Sequence, residues 1–411
     1  MTPPLPSPSS PASLRPPHFS ALARLIRDEI RQAGGWMGFE RFMELALYAP
    51  GLGYYSGGRR VLGQGPHDGS DFVTAPELTP LFGLTLARQI EQALDATGTD
   101  ELWEFGAGSG ALAVQLLGAL GERVRRYTIV DLSGSLRERQ HQRLVAELPE
   151  QAHKVIWADR LPQKMRGVIV GNEVLDAMPV RLLAWNGQAW LERGVTVVGE
   201  DGATAAAERL HGSDDTESPI AFTWADRPTA DGLRPPTEHP DSAFAPGTVV
   251  EVHPQAEAFI ATLAAHLEQG AAFFIDYGFP EAEFYLPQRT GGTLMCHHGH
   301  RADPDPLSAV GHKDITAHVN FTGVALAGQN AGWEVLGYTS QARFLLNAGL
   351  LAHMAPADPE HLTVADVQAS SAGQKLINEH EMGELFKVIG FAKGDWFDAL
   401  GFAAGDRTHT L

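Results

Sequence analysis

The chain has 411 residues, 31 of them Lys or Arg and 50 Asp or Glu, for a formal charge of −19, and 44% are hydrophobic. That length gives roughly two or three structural units with a sizeable buried core; the acidic balance, without a clustered basic run, argues against a nucleic-acid partner and favours a basic one. No stretch approaches the roughly 18 apolar residues of a membrane span, so no membrane insertion is expected. The single cysteine, Cys296, excludes an internal disulfide framework and fits a reducing compartment.

Residues 1–18 begin MTPPLPSPSSPASLRPP, a Pro/Ser-rich run expected to be a disordered tail. It lacks the apolar segment of a signal peptide and carries one arginine, Arg15, so a cytoplasmic protein is expected. Apolar residues at Leu22, Leu25, Ile26 and Ile30 predict a helix from Phe19, the Gly34-Gly35 pair ends it, and a second helix covers Phe39 to Leu47. Tyr48 to Gly83 is crowded with glycines and aromatics, which suits a shaped loop over a site. With a helix at Leu81 to Ala96, residues 19–97 form an N-terminal helical and covering region.

Glu101 to Leu117, ELWEFGAGSGALAVQLL, reads as a buried strand, a glycine-rich turn and a helix. IVDLS then places Asp131 at the end of the next strand, where an acidic residue commonly grips a ribose. A helix near Leu136 to Leu148, a strand at Lys154 to Ala158 and an apolar strand at Gly167 to Gly171 continue the alternation; Phe273 to Ile275, Trp333 to Tyr338 and Phe386 to Phe391 supply later strands. Repeated strand–helix units imply an α/β fold, a mostly parallel sheet with ligands at the carboxyl ends of its strands. Asp159, Asn172-Glu173 and Asp276-Tyr277 fall at such ends. The core spans 98–180 and 247–411. Residues 181–246 interrupt it as an insertion whose flanks, LLAWNGQAWLERGV and PIAFTW, alternate like antiparallel strands.

Gly106, Gly108 and Gly110 let backbone approach a ligand, but Gly106, Gly108 and Ala111 also satisfy the G-x-G-x-x-A fingerprint of dinucleotide folds. Charge discriminates. A dinucleotide brings a doubly negative pyrophosphate, whereas S-adenosylmethionine (SAM) brings an ammonium, a carboxylate and a sulfonium. Glu104, Asp131, Asp159 and Glu173 surround the loop, which tips the reading toward SAM. In IVGNEVLDAMPV three polar side chains follow a strand directly, and a helical turn at Asp176 would bring it beside Asn172 and Glu173; the bland alternative is that Asp176 caps a helix.

FMELALYAPGLGYYS, SDFVTAPELTPLFG, EFGAGSGALA, GNEVLDAMPVRLL, IDYGFPEAEFY, GTLMCHHGHRADPDPLSAVGHKDITAHVNFT and MGELFKVIGFAKG, in this order, resemble the MidA-like SAM-dependent methyltransferases, whose mitochondrial members methylate an arginine of a respiratory complex I subunit. Ala107, Ser109 and Ser70 depart from the family's usual residues. The resemblance implies a Rossmann-like class I methyltransferase sheet with helices on both faces. It implies that the glycine loop, Glu104 and Asp131 hold the methionine and ribose parts of SAM, that Asp159 approaches the adenine, and that Thr74 to Glu77 closes over it. It further implies that Asn172, Glu173, Asp176, Asp276 and Tyr277 shape the methyl-transfer site. The partner would be a protein bearing an arginine, and a homodimer is admitted.

A guanidinium is a poor nucleophile, and carboxylates can orient it, offset its charge and take the departing proton. Glu173 is the first choice of base and Asp176 the second. Cys296, His297, His298 and His300, with His312 and His318 downstream, match no standard zinc spacing, so no metal is expected. Asp314, His318 and Asn320 lie in DITAHVNF, read as a strand or a short helix with a substrate contact or a purely structural role. A nicotinamide-dependent oxidoreductase, a small-molecule methyltransferase and a catalytically silent assembly factor remain as alternatives.

Overall fold

A computed structural model describes residues 18–57, 73–131, 134–199, 220–229, 232–356, 358 and 361–411. Residues 1–17 of the expected tail, Ser70 with the middle of the 48–83 loop, and the centre of the 181–246 segment lie outside the described residues, while His18, expected to end the tail, opens the first helix.

The strands β1 (Glu101–Phe105), β2 (Arg126–Val130), β3 (Val155–Ala158), β4 (Met165–Asn172), β5 (Leu267–Phe279), β6 (Glu334–Ser340) and β7 (Phe386–Lys393) form the body of an eight-stranded sheet in the order β6-β7-β5-β4-β1-β2-β3. Its eighth strand, Val319–Asn320, pairs with the end of β5. From β3 through β5 every neighbour is parallel, and β7 runs antiparallel to both β5 and β6. The mixed α/β class is as expected.

Parallel strands covered on both faces need unbroken apolar runs, and β1 is buried at all its positions. Side chains then divide by parity. Leu102, Val168, Val170 and Phe273 pack with the helices Leu81–Thr97 and Ala111–Leu120, whereas Trp103, Ile169, Ala272 and Phe274 pack with Pro254–His266 and Phe321–Asn330. The strand order reverses between β1 and β4, so the helices on either side diverge there and leave a crevice at their carboxyl ends.

A second, five-stranded antiparallel sheet joins Met37–Gly38, Trp190–Val197, Arg181–Trp185 and Val249–Val252 in that order, with Phe222–Pro228 paired to Trp190–Val197. The alternating flanks of the 181–246 segment thus form antiparallel strands, tied to the N-terminal region through Met37. The helices His18–Gln32 and Phe39–Tyr48 pack with Val195, Val197, Cys296 and Ile315 in a core of their own. DITAHVNF is neither one strand nor a helix. Asp314–Thr316 pairs with Met295–His298, the Ala317 amide then bonds the Asp176 carbonyl at 3.0 Å, and Val319–Asn320 turns to β5. Among the described residues no helix is long and apolar enough to cross a membrane.

Candidate active site

A cavity of about 1220 Å³ opens at the carboxyl ends of β1 and β4, larger than the roughly 300–1,000 Å³ of common ligand pockets. One half is built by the glycine loop. Gly106 has φ +66°, and a Cβ there would lie 2.8 Å from Val174 Cγ2, so the tight turn under the ligand needs glycine for both conformation and space. Glu104, 3% exposed, accepts from the Tyr127 hydroxyl at 2.7 Å, and burial pushes its carboxyl up to about 7. Asp131 at the end of β2 is held by the Gln140 amide at 2.9 Å; the same amide reaches the Gly108 carbonyl at 3.0 Å, and Trp157 fixes the other end of Gln140 at 2.8 Å. Gln140 is therefore the clamp that sets the glycine loop against the strand-end acid.

Thr74 precedes the short helix Ala75–Leu78, which projects Glu77 toward the glycine loop. Glu77 accepts from Ser109 and, at 2.8 Å, from Arg143, and its side chain is 6% exposed. Asp159 stands on the rim, its side chain 78% exposed and ion-paired with Arg137.

The wall between the two halves is the turn after β4. Glu173 has φ +53°, the left-handed region that a non-glycine residue occupies at an energetic cost of about 1–3 kcal/mol. Its amide bonds the Ile275 carbonyl at 2.9 Å, and its carboxylate accepts from Asn172 at 3.1 Å. Asp276 Oδ2 accepts from the amides of Val174, Leu175 and Asp176 at 3.1, 2.9 and 3.3 Å. That one buried oxygen fixes the turn. Burial, then the neighbouring Asp176 charge, pushes Glu173 up to about 8; burial pushes Asp176 up to about 6 against its interaction with Tyr277.

Asp176 starts no helix; residues 173–178 form a turn leading to the strand at Arg181, so neither the helical-turn reading nor the helix-cap reading holds. Asp276 and Tyr277 stand behind the wall and do not line the cavity. Thr74, Glu77, Glu104, Gly106, Gly108, Asp131, Asp159, Asn172, Glu173 and Asp176 do line it, and Gly110 opens the helix behind the loop.

Three aromatic and acidic residues beyond those singled out for the site complete the second half: Glu44, Tyr48 and Tyr55, together with Asp314. Tyr55 donates to Asp314 at 2.8 Å, Tyr48 donates to the Ala177 carbonyl at 2.8 Å, and the two rings stack with centroids 5.6 Å apart. Glu44 and Tyr48 are four apart on one helix, so they share a face; that spacing was the available signal.

Strand order, the crevice at the switch point and a glycine loop ringed by acids define a nucleoside-binding transferase of the SAM class. The family model described as "Putative S-adenosyl-L-methionine-dependent methyltransferase" matches residues 85–339, and the chain belongs to this family. It is similar over 98% of its length to a solved Burkholderia thailandensis protein bound to S-adenosyl-homocysteine, with 50% identity, a TM-score of 0.86 and 100% of that chain covered. A native structure of a protein from the same organism also matches at 50% identity and TM-score 0.82, over 99% and 100% of the two chains. A Drosophila melanogaster protein named protein arginine methyltransferase NDUFAF7 homolog, mitochondrial, is 26% identical over 96% of this chain and 90% of its own. Its Danio rerio counterpart is 26% identical over 87% and 83%. The family's cofactor is SAM, and the residues present fit it: the glycine cradle admits no Cβ at Gly106, and the acids at the ends of β1 and β2 suit an ammonium and ribose hydroxyls better than a pyrophosphate. The oxidoreductase reading is thereby set aside.

Proposed function

We propose that this protein methylates an arginine guanidinium of a protein substrate, with Glu104, Asp131 and the glycine loop holding the cofactor and Glu173 and Asp176 serving the acceptor. The observation that carries the reading is the composition of the second half of the cavity. It presents Glu44, Glu173, Asp176 and Asp314 beside Tyr48 and Tyr55, while the arginines lining the cavity, Arg139, Arg143 and Arg160, come from the helix after β2 and the end of β3. Carboxylates with aromatic faces suit a flat cation. The names of the Drosophila and Danio relatives support the same substrate class.

When bound, SAM supplies a methyl group on a positively charged sulfur. Asp176 and Glu173 orient the guanidinium and draw its charge away from the accepting nitrogen. That nitrogen gains the methyl group and gives up one proton, so the guanidinium keeps a single positive charge. Glu173 takes the proton: the incoming guanidinium favours its ionised form, and burial followed by the Asp176 charge raises its carboxyl to about 8 against about 6 for Asp176, so its carboxylate is the stronger base of the two. Its strained backbone, held by Ile275, aims the carboxylate into the cavity. Asp276 acts as a positioning residue for the turn, and Tyr277 for Asp176.

Mass spectrometry of arginine methylation in cells with and without the gene tests the reading, and the expected result is at least one arginine site lost with the gene. An unchanged arginine methylome overturns it.

A further inference from the structure

Asp314 is 3% exposed, lies at the start of its strand and lines the cavity opposite the turn after β4. Its Oδ1 accepts from the following amide, Ile315, at 2.9 Å, and the Tyr55 hydroxyl lies 2.8 and 2.9 Å from its two oxygens. A hydroxyl carries one proton and can turn it to either oxygen, whereas a carboxylate offers about four acceptor sites. The pair can therefore regroup around an incoming donor without being broken. Tyr48, pinned to the Ala177 carbonyl, backs Tyr55 face to face, which leaves a two-ring platform beside the carboxylate.

A cluster of acids alone specifies no ligand. Here a second feature does. Asn172 Oδ1 and Asp176 Oδ1 are buried, line the same cavity, and have no hydrogen-bond partner among the described residues. Buried acceptors without donors are costly, so the cavity favours a ligand that brings several donor groups at once. An ammonium carries three donors and a guanidinium five in a rigid plane. The charges also act on one another: after burial, the Asp314 carboxylate helps push the Glu173 carboxyl and the Tyr48 and Tyr55 hydroxyls up, which favours their protonated forms.

Resting on the methyltransferase reading above, we propose that Asp314, with Tyr55 and Tyr48, is the anchoring subsite for the acceptor's guanidinium, separate in role from Glu173, which handles the proton. Asp314 fixes affinity and selects for the cation. Glu173 sets turnover.

The test uses the full chain saturated with S-adenosyl-homocysteine and titrated by calorimetry with N-acetyl-arginine amide and its neutral isostere, N-acetyl-citrulline amide. Wild type should bind the arginine probe at least about tenfold more tightly than the citrulline probe, and Asp314→Asn should lose about tenfold or more toward arginine while holding S-adenosyl-homocysteine as wild type does. Glu173→Gln should lose far more turnover than arginine-probe affinity. Equal binding of the two probes by wild type, or wild-type arginine binding by Asp314→Asn, overturns the subsite. Should Asp314→Asn fail to bind S-adenosyl-homocysteine, Tyr48→Leu serves instead: a several-fold loss of arginine-probe affinity supports the proposal, and none overturns it. If wild type methylates arginine and Asp314→Asn does so at unchanged KM, the subsite falls and the arginine reading stands; no arginine methylation and no arginine-probe binding by wild type defeat both.

Discussion

The two halves of the cavity are built on different logic. The cofactor half is local: strand, glycine loop and helix are contiguous from Glu101 to Leu120, and its acids sit at successive strand ends. The acceptor half is assembled from a distance, with Glu44 and Tyr48 on an N-terminal helix, Tyr55 in the loop after it, Glu173 and Asp176 after β4, and Asp314 on an edge strand of a small antiparallel sheet. Local construction suits a constant ligand. Remote construction lets the second ligand be set by parts that carry no load in the first.

That contrast is sharpest at Glu173. Glu173→Gln should lower kcat by about 10²–10⁴ while leaving the affinity for S-adenosyl-homocysteine within a few-fold; a parallel loss of cofactor affinity would merge the halves. Asp276→Ala should reach both, because the amides of Val174, Leu175 and Asp176 lose their buried acceptor. Destabilisation of about 2–4 kcal/mol by denaturant unfolding is expected, and an unchanged midpoint would deny Asp276 its role as the fixing point. Gly106→Val should weaken SAM binding by about tenfold or more through its left-handed backbone and its clash with Val174 of the dividing wall; calorimetry with SAM checks this.

The smallest effect is on stability against pH. Glu104 and Glu173 have folded-state carboxyls raised to about 7 and about 8 from an ordinary 4.5. Between pH 4.5 and those values the folded chain holds protons that the unfolded chain has released, so stability falls as pH rises through this window. The melting temperature of the ligand-free protein should drop by a few degrees from pH 5 to pH 8. Glu104→Gln and Glu173→Gln should each flatten the slope, and a stability that climbs over the same range would contradict the buried, uncompensated carboxylates described above.

The difference between the halves also explains what the sequence disclosed. Parallel strands buried on both faces write continuous apolar runs, so the sheet and the acids at Glu104, Asp131 and Glu173 were legible. Gln140 was not, because its role is a hydrogen bond between two loops that only the packed helix brings together. Asp276 looked like a site acid because it nears the end of an apolar strand; the strand runs on to Phe279, which places the carboxylate behind the turn and not in front of it. Tyr55 and Asp314, 259 positions apart, meet by tertiary contact alone.

The N-terminal helices, the antiparallel strands near Val195 and the small sheet at Cys296 and Ile315 share one apolar core, while the glycine-loop half belongs to the cores of the central sheet. The cavity is therefore a seam between separately packed bodies. Substitutions at Glu44, Tyr48, Tyr55 and Asp314 can retune the acceptor wall from one body without disturbing the cofactor machinery in the other, which leaves substrate choice open to change while cofactor choice stays fixed.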